Sequence, residues 1–294
     1  MYNKILTYRY IQNSTQRLPL DSIEYRCRFC GEVKTKNEFR QKAHAVAEGI
    51  GNKALVTKYE CDACNNRFAK AEESELGKLL HEFKATHSLK GKSGTTKIHG
   101  ADYSWSEEAG TFSANINMRE ADYDIAVLNI LDKDTAELLI RRTKEVNFRL
   151  VYGALVKFAL SVVPEAISKE LGKGYAILHE RKTFPNYSGL LVVSTKLITD
   201  PQISIYESDD PTEAKYLATI DAFEFRYIIP LDFERVIVPL RPDIVLSLDF
   251  SNVDGCEVRP FDYSDDSAKL QQITHVTGKL NNLSITDRNN ISEE

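Results

Sequence analysis

Two short cysteine pairs, Cys27-Arg-Phe-Cys30 and Cys61-Asp-Ala-Cys64, are separated by residues 31 to 60. A Cys-x-x-Cys turn aims two sulfurs at one point, and two such turns make the tetrahedral thiolate cage that suits zinc. Two disulfides or four buried free thiols are the alternatives. The intervening stretch holds a single histidine within Ala43-His44-Ala-Val-Ala-Glu48-Gly-Ile-Gly51-Asn52-Lys53, and the second pair runs straight into Asn65-Asn66-Arg67-Phe68. A metal held by both pairs fastens the start of the following helix next to the His44-bearing segment. A segment this short cannot supply such rigidity from its own apolar core.

The elements that must position these residues follow from pattern and punctuation. Phe68, Leu76, Leu79, Leu80 and Phe83 recur near helical period, so residues 65–83 are expected as a helix. The Gly-, Ser- and Lys-rich run Leu89–Ile98 marks a domain boundary. The division expected is a zinc-stapled module at 1–94, with residues 1–26 as a mixed lead-in, then a second domain at 95–282 and a frayed tail at 283–294. In the second domain, Tyr103–Trp105 and Thr111–Asn117 flank Glu-Glu-Ala-Gly and read as a hairpin, with Tyr123–Leu131 as a third strand. A helical region is expected over 135–171, broken near Val146 and at Pro164. Within it Val151–Val163 is a buried helix, too short to cross a bilayer and interrupted by Lys157. Strands are expected at 190–195, 202–207, 216–229, 236–238 and 244–250. The fold class is therefore α+β: a small zinc-stapled module followed by a mixed domain with a largely antiparallel sheet.

Composition excludes some functions and leaves others. Hydrophobic content of 42% and charged content of 28% are those of a globular chain with a real core. Five cysteines, one of them the isolated Cys256, do not make a secreted disulfide framework, and the N-terminus has no signal-peptide core, so a reducing cytoplasm is expected and no membrane. The net charge of −5 hides an asymmetry. Residues 1–100 carry 18 Lys and Arg against 11 Asp and Glu, while residues 101–294 carry 20 against 32. A basic segment beside an acidic one fits a phosphate-binding module joined to a domain with another task; a basic zinc module with no ligand has the same charge. No Walker loop, dinucleotide fingerprint or serine-nucleophile elbow is present.

On Cys27, Cys30, His44, Glu48, Gly51, Asn52, Cys61, Cys64, Asn65, Asn66, Phe68 and Glu73, the chain resembles the HNH endonucleases, in their zinc-stapled branch, over roughly residues 27–75. The resemblance implies a ββα-metal active site and phosphodiester hydrolysis of nucleic acid, with DNA the expected partner. His44 is then the base that activates water, near neutral pH a task suited to imidazole. Asn65 and the acids Glu48 and Glu73 are the oxygen donors for a catalytic Mg2+ or Mn2+, separate from the structural zinc on the four cysteines. Asn66 is the neighbouring alternative to Asn65. Glu48 reads equally as a loop acid, Glu73 as a helix-surface acid, and Gly51-Asn52 as a plain turn, with Asn52 otherwise orienting the imidazole. Where many members place Asp or His before the base, this chain has Ala43, so either Glu48 or Glu73 supplies the missing oxygen, or ion binding is weak, or the site is silent. The implied setting is a bacterial restriction or phage-defence effector whose second domain senses, docks or oligomerises. The competing reading is a catalytically silent zinc module that binds nucleic acid or protein.

Overall fold

A computed structural model describes residues 1–10, 16–18, 24–86, 145–195, 197–234, 239–248 and 255–265, together with the backbone of strands between 90 and 141 and at 273–279. The chain opens on β1 (Tyr2–Arg9), and the short β2 (Gln16–Arg17), β3 (Ala43–His44) and β4 (Leu55–Thr57) form a three-stranded sheet in the order β2-β4-β3. β3 and β4 are antiparallel, with His44 opposite Val56. Three helices follow: α1 (Asp62–Lys70), α2 (Glu72–Leu79) and α3 (His81–Thr86). The expected continuous helix over 65–83 is thus divided at Ala71, whose φ of −116° and ψ of −86° leave the helical region, and again at Leu80.

Strand pairing then resumes through β5 (Lys90–Gly91), β6 (Gly94–Thr95), β7 (Ile98–His99), β8 (Tyr103–Glu108) and β9 (Thr111–Ile116), of which β8 and β9 make the expected hairpin. β10 (Val127–Ile130) pairs instead with β11 (Thr135–Arg141), where a helix was expected. β11 is a strand because it lies between β10 and a distant partner near the C-terminus, and that pairing overrides local helix propensity.

The apolar run forms α4 (Phe148–Val162). Asn147 caps it by accepting the Leu150 N–H at 3.0 Å, and Pro164 holds the residue before it, Val163, extended at φ −62°, ψ 141°. α5 (Glu165–Glu170) and α6 (Gly172–Glu180) complete a helical layer. β12 (Ser188–Val193), β13 (Gln202–Ser208), β14 (Tyr216–Ala222), β15 (Phe225–Pro230) and β16 (Glu257–Asp262) join β1 in a six-stranded sheet, ordered β1-β13-β14-β15-β12-β16 and antiparallel throughout. β17 (Ile273–Lys279) is the far partner of β11.

The stretch expected as one strand at 216–229 is a hairpin, turning at Phe223 with φ of 59°. Residues 244–247, expected to begin a strand at 244–250, lie in a 3-10 turn, Pro242–Ser247, begun by Pro242 and followed by Asp243, both residues that favour a helical first turn. The expected strand at 236–238 and the tail at 283–294 lie outside the described residues.

The lead-in strand β1 belongs to the large sheet, although it lies about two hundred residues from its partner β13. One core joins what the boundary at Leu89–Ile98 was expected to separate: Phe29, Leu55 and Phe68 share a cluster with Leu155 and Phe158 of α4 and Ile203, Ile220 and Ile229 of the sheet. The opposite sheet face, with Leu190, Val192, Leu217 and Ile228, is covered by Ile244, Val245 and Leu248. The layers therefore run from the cysteine module through α4 to the sheet and then to the 3-10 segment. No described helix is long and apolar enough to cross a membrane.

Candidate functional site

The four cysteines converge. Their sulfurs all lie within 4.8 Å of one another, and Cys27, Cys61 and Cys64 are buried. Four sulfurs bound to one zinc at about 2.3 Å stand roughly 3.8 Å apart, so this spacing closes onto an ion with small side-chain shifts. The local turns explain the aim. The Gly31 N–H donates to the Cys27 carbonyl at 2.8 Å, the Cys27 N–H donates to the Glu32 carbonyl at 3.0 Å, and Gly31 takes a left-handed φ of 71° that a side chain would strain. The second pair straddles the front of α1: Cys61 precedes its first turn, and the Cys61 N–H points at Cys27 Sγ at 3.5 Å.

All four are free thiols rather than disulfides. A hydrogen bond from Cys64 pulls the Cys27 thiol down to about 5, whereas burial, and then the charge of Cys27, push the Cys30 thiol up to about 11. Cys64 is raised as well, first by its bond to Cys27 and then by burial. Thiolates crowded in this way repel one another, and a divalent cation relieves the repulsion. The donor set fits a zinc ion.

His44 ends β3, paired with Val56 of β4. Its side chain is 15% exposed, Nε2 stands 3.9 Å from Glu48 Oε2, and Nδ1 is buried without a hydrogen-bond partner among the described residues. Burial holds the imidazole below its ordinary pKa; Glu48 opposes this and Lys42 reinforces it. Glu48 Oε1 also takes an ion pair from Lys53 at 3.1 Å. The segment leading into β3 is tied to the helix start: the Arg40 and Gln41 N–H groups donate to the Asp62 carboxylate at 3.3 and 2.9 Å, and Asn65 Nδ2 donates to Gln41 Oε1 at 3.0 Å. Asn66 is exposed.

Asn52 is fully buried and all of its amide valences go to backbone. Nδ2 donates to the carbonyls of Val46 and Leu55 at 2.6 and 2.8 Å, and Oδ1 accepts from the N–H groups of Ala54 and Leu55 at 3.1 and 2.8 Å. Its work is to clamp the β3–β4 loop; none of these bonds reaches the imidazole it was expected to orient. Gly51 beside it has φ of 99°, as a left-handed turn residue requires.

Glu73 faces a partner that the motif does not contain. Lys157, entirely buried on α4, places Nζ 2.9 Å from Glu73 Oε1, 3.1 Å from Glu60 Oε2 and 2.8 Å from the His44 carbonyl. One turn earlier on the same helix face, Gly153 lets α2 come close, since a Cβ there would lie 3.1 Å from Glu72 Cγ. Burial pushes the Glu60 carboxyl up to about 7, against the pull of Lys157. The one hint of Lys157 in the sequence is a lone cation inside an apolar helix, a residue that is buried only when paired.

Among the described residues, the cysteines are the one group of three or more His, Cys, Asp or Glu side chains whose ligand atoms converge, so His44, Glu48 and Glu73 do not form a second such cluster. Five of the basic residues between 26 and 70 are occupied within the protein. Arg28 donates to the Val163 carbonyl at 2.9 Å, pairs with Glu165 at 3.0 Å and stacks on Tyr59 at 3.6 Å. Arg67 donates to the His179 carbonyl at 2.8 Å. Arg26, Lys34 and Lys53 pair with nearby acids, while Lys36, Arg40, Lys42, Lys58 and Lys70 are exposed. No protein-family profile matches this chain, nor does any curated protein or solved structure.

Proposed function

We propose that this protein is a metal-dependent endonuclease of the HNH type, in which a zinc ion on Cys27, Cys30, Cys61 and Cys64 staples a His44-bearing hairpin to the front of α1. The observation that carries the reading is the order β3, β4, α1, with His44 on the first strand, a convergent cysteine set binding both ends of the unit, and a carboxylate 3.9 Å from Nε2. His44 is the base. Burial favours its neutral form, and neutral imidazole can take a proton from water while Glu48 stabilises the charge that develops on the ring. Asn52 fixes the loop on which Glu48 sits. Glu48, beside Nε2, carries a hard oxygen that would hold Mg2+ or Mn2+, while Glu73 is engaged by Lys157 and does not converge on it. When bound, such an ion supplies charge neutralisation at the scissile phosphate and the leaving oxygen. Exposed Lys36, Lys42 and Lys58 supply sequence-independent attraction to a phosphate backbone.

The test is cleavage of labelled DNA and RNA by purified protein with added Mg2+ or Mn2+. His44→Ala is expected to lower cleavage by about 100-fold or more while zinc content and melting stay those of the wild type. Equal cutting by that variant removes His44 as the base.

A silent zinc module that binds nucleic acid is the second reading. What favours it is that Glu73 and Glu48 are already paired with lysines, that Asn65 is bonded to Gln41, and that Ala43 offers no oxygen. Salt-sensitive nucleic-acid binding without cleavage under any divalent ion selects it.

A further inference from the structure

We infer that Lys157 is a positioning residue of the His44 site, so that the site is completed by α4, far beyond the cysteine module. The inference rests on the reading of His44 as the reacting base. One ammonium joins three separate pieces of the site: β3 through the His44 carbonyl, the entry to α1 through Glu60, and α2 through Glu73. Glu60 is the residue immediately before the metal-side Cys61, so the same cation connects the cage to the histidine strand. The ammonium donates hydrogen bonds to the His44 carbonyl and to Glu73 Oε1, and Glu60 Oε2 lies 3.1 Å from it as an ion pair.

A buried ion pair is a poor source of net stability, because desolvation offsets most of its attraction; an apolar residue would fill α4 at least as well. What an apolar side chain cannot do is fix a strand carbonyl and two carboxylates at set distances. β3 has only two residues and a single neighbour in its sheet; Asp62 holds the chain before it and Asn52 the chain after it, and Lys157 adds the tie at the His44 carbonyl itself. Phe68 closes the group from the side, its ring centroid 5.9 Å from Nζ, and Gly153 holds α2 close enough for Glu73 to reach. Sheet and site are therefore coupled through one rigid helix, since α4 also packs on β13, β14 and β15.

Lys157→Met combined with Glu60→Gln removes the two fully buried charges together and leaves only Glu73, whose side chain is 16% exposed and reaches water, without its cation. In the full chain, this double variant is expected to keep its zinc and the slow amide exchange of the six-stranded sheet. Amide exchange over residues 43–57 should become faster, and the His44 imidazole resonance, identified by its loss in His44→Gln, should shift. Turnover should fall by about 100-fold with KM little changed, as when a reacting group is misplaced while substrate binding stays intact. Lys157→Arg keeps the charge but cannot place one nitrogen against the His44 carbonyl and both carboxylates, and it decides by the same resonance where the double variant does not fold. A lower denaturation midpoint with the His44 resonance, the 43–57 exchange and the turnover all unchanged makes Lys157 merely structural and overturns the inference. Wild-type protein that cuts no nucleic acid removes the nuclease reading instead, and the resonance and exchange still decide whether Lys157 places His44.

Discussion

Asn52 shows how a side chain near a reacting group can act without touching it. Its amide is buried and binds four backbone groups of one loop, and the loop carries Glu48 at one end and enters β4 at the other. Asn52→Ala leaves buried donors and acceptors with nothing to pair with, each such group costing about 1–3 kcal/mol. The expected outcome is a loss of stability on the order of 3 kcal/mol in urea unfolding, with zinc retained. Asn52→Asp keeps the two acceptor bonds and loses both donors, so it should be nearly as damaging. Either variant unfolding at the wild-type midpoint would show that the clamp carries no weight.

At the scale of elements, the cysteine turns and α1 act as one unit. Cys27 and Cys30 lie on a turn closed by Gly31, while Cys61 and Cys64 frame the first turn of α1, and between the knuckles the Arg28 N–H donates to the Tyr59 carbonyl at 2.8 Å. Phe29, between the first two cysteines, meets Phe68 of α1 at 4.9 Å and Tyr175 of α6 at 5.4 Å, so the metal turn is also an apolar anchor. Cys61→Ser removes a thiolate from the cage and the folding energy that goes with it. Zinc content should drop, and proteolysis should open residues 27–70 before the six-stranded sheet unfolds. A Cys61→Ser protein with full zinc and an unchanged melting curve would mean that the four sulfurs do not share an ion.

Taken whole, the molecule does not divide at the composition break. β1 pairs with β13, the cysteine unit rests on α4 and α6, and Arg28 and Arg67 fasten it to Val163 and His179. Arg28 and Arg67, which add to the basic charge of the segment, are internal ties here, planar donors that suit carbonyls and carboxylates. A chain ended at residue 94 loses the β13 partner of β1, the apolar cover over Phe29 and Phe68, and the Lys157 counter-charge to Glu60. It is expected to give a broad, non-cooperative melt even with zinc added, where the full chain unfolds cooperatively. A sharp zinc-dependent transition in the fragment would show that the module stands alone.

What could be read in the residues was local. Cys-x-x-Cys spacing makes two sulfurs converge through a single turn, and the approach of the two turns follows once α1 begins at the second pair. The hairpin at 103–116 and the buried helix ended by Pro164 were legible for the same reason: each depends on a few neighbouring residues. The division at Ala71, the strand at 135–141 and the edge position of β1 were not, because the partners lie far away in the chain and an edge strand, half exposed, has a weak apolar alternation. Sequence by itself therefore determined the convergence of the four sulfurs. Tertiary structure decided what surrounds them: Lys157, more than eighty residues from either glutamate, meets both only because α4 is buried against α2, and no local pattern encodes a contact set by packing between distant segments.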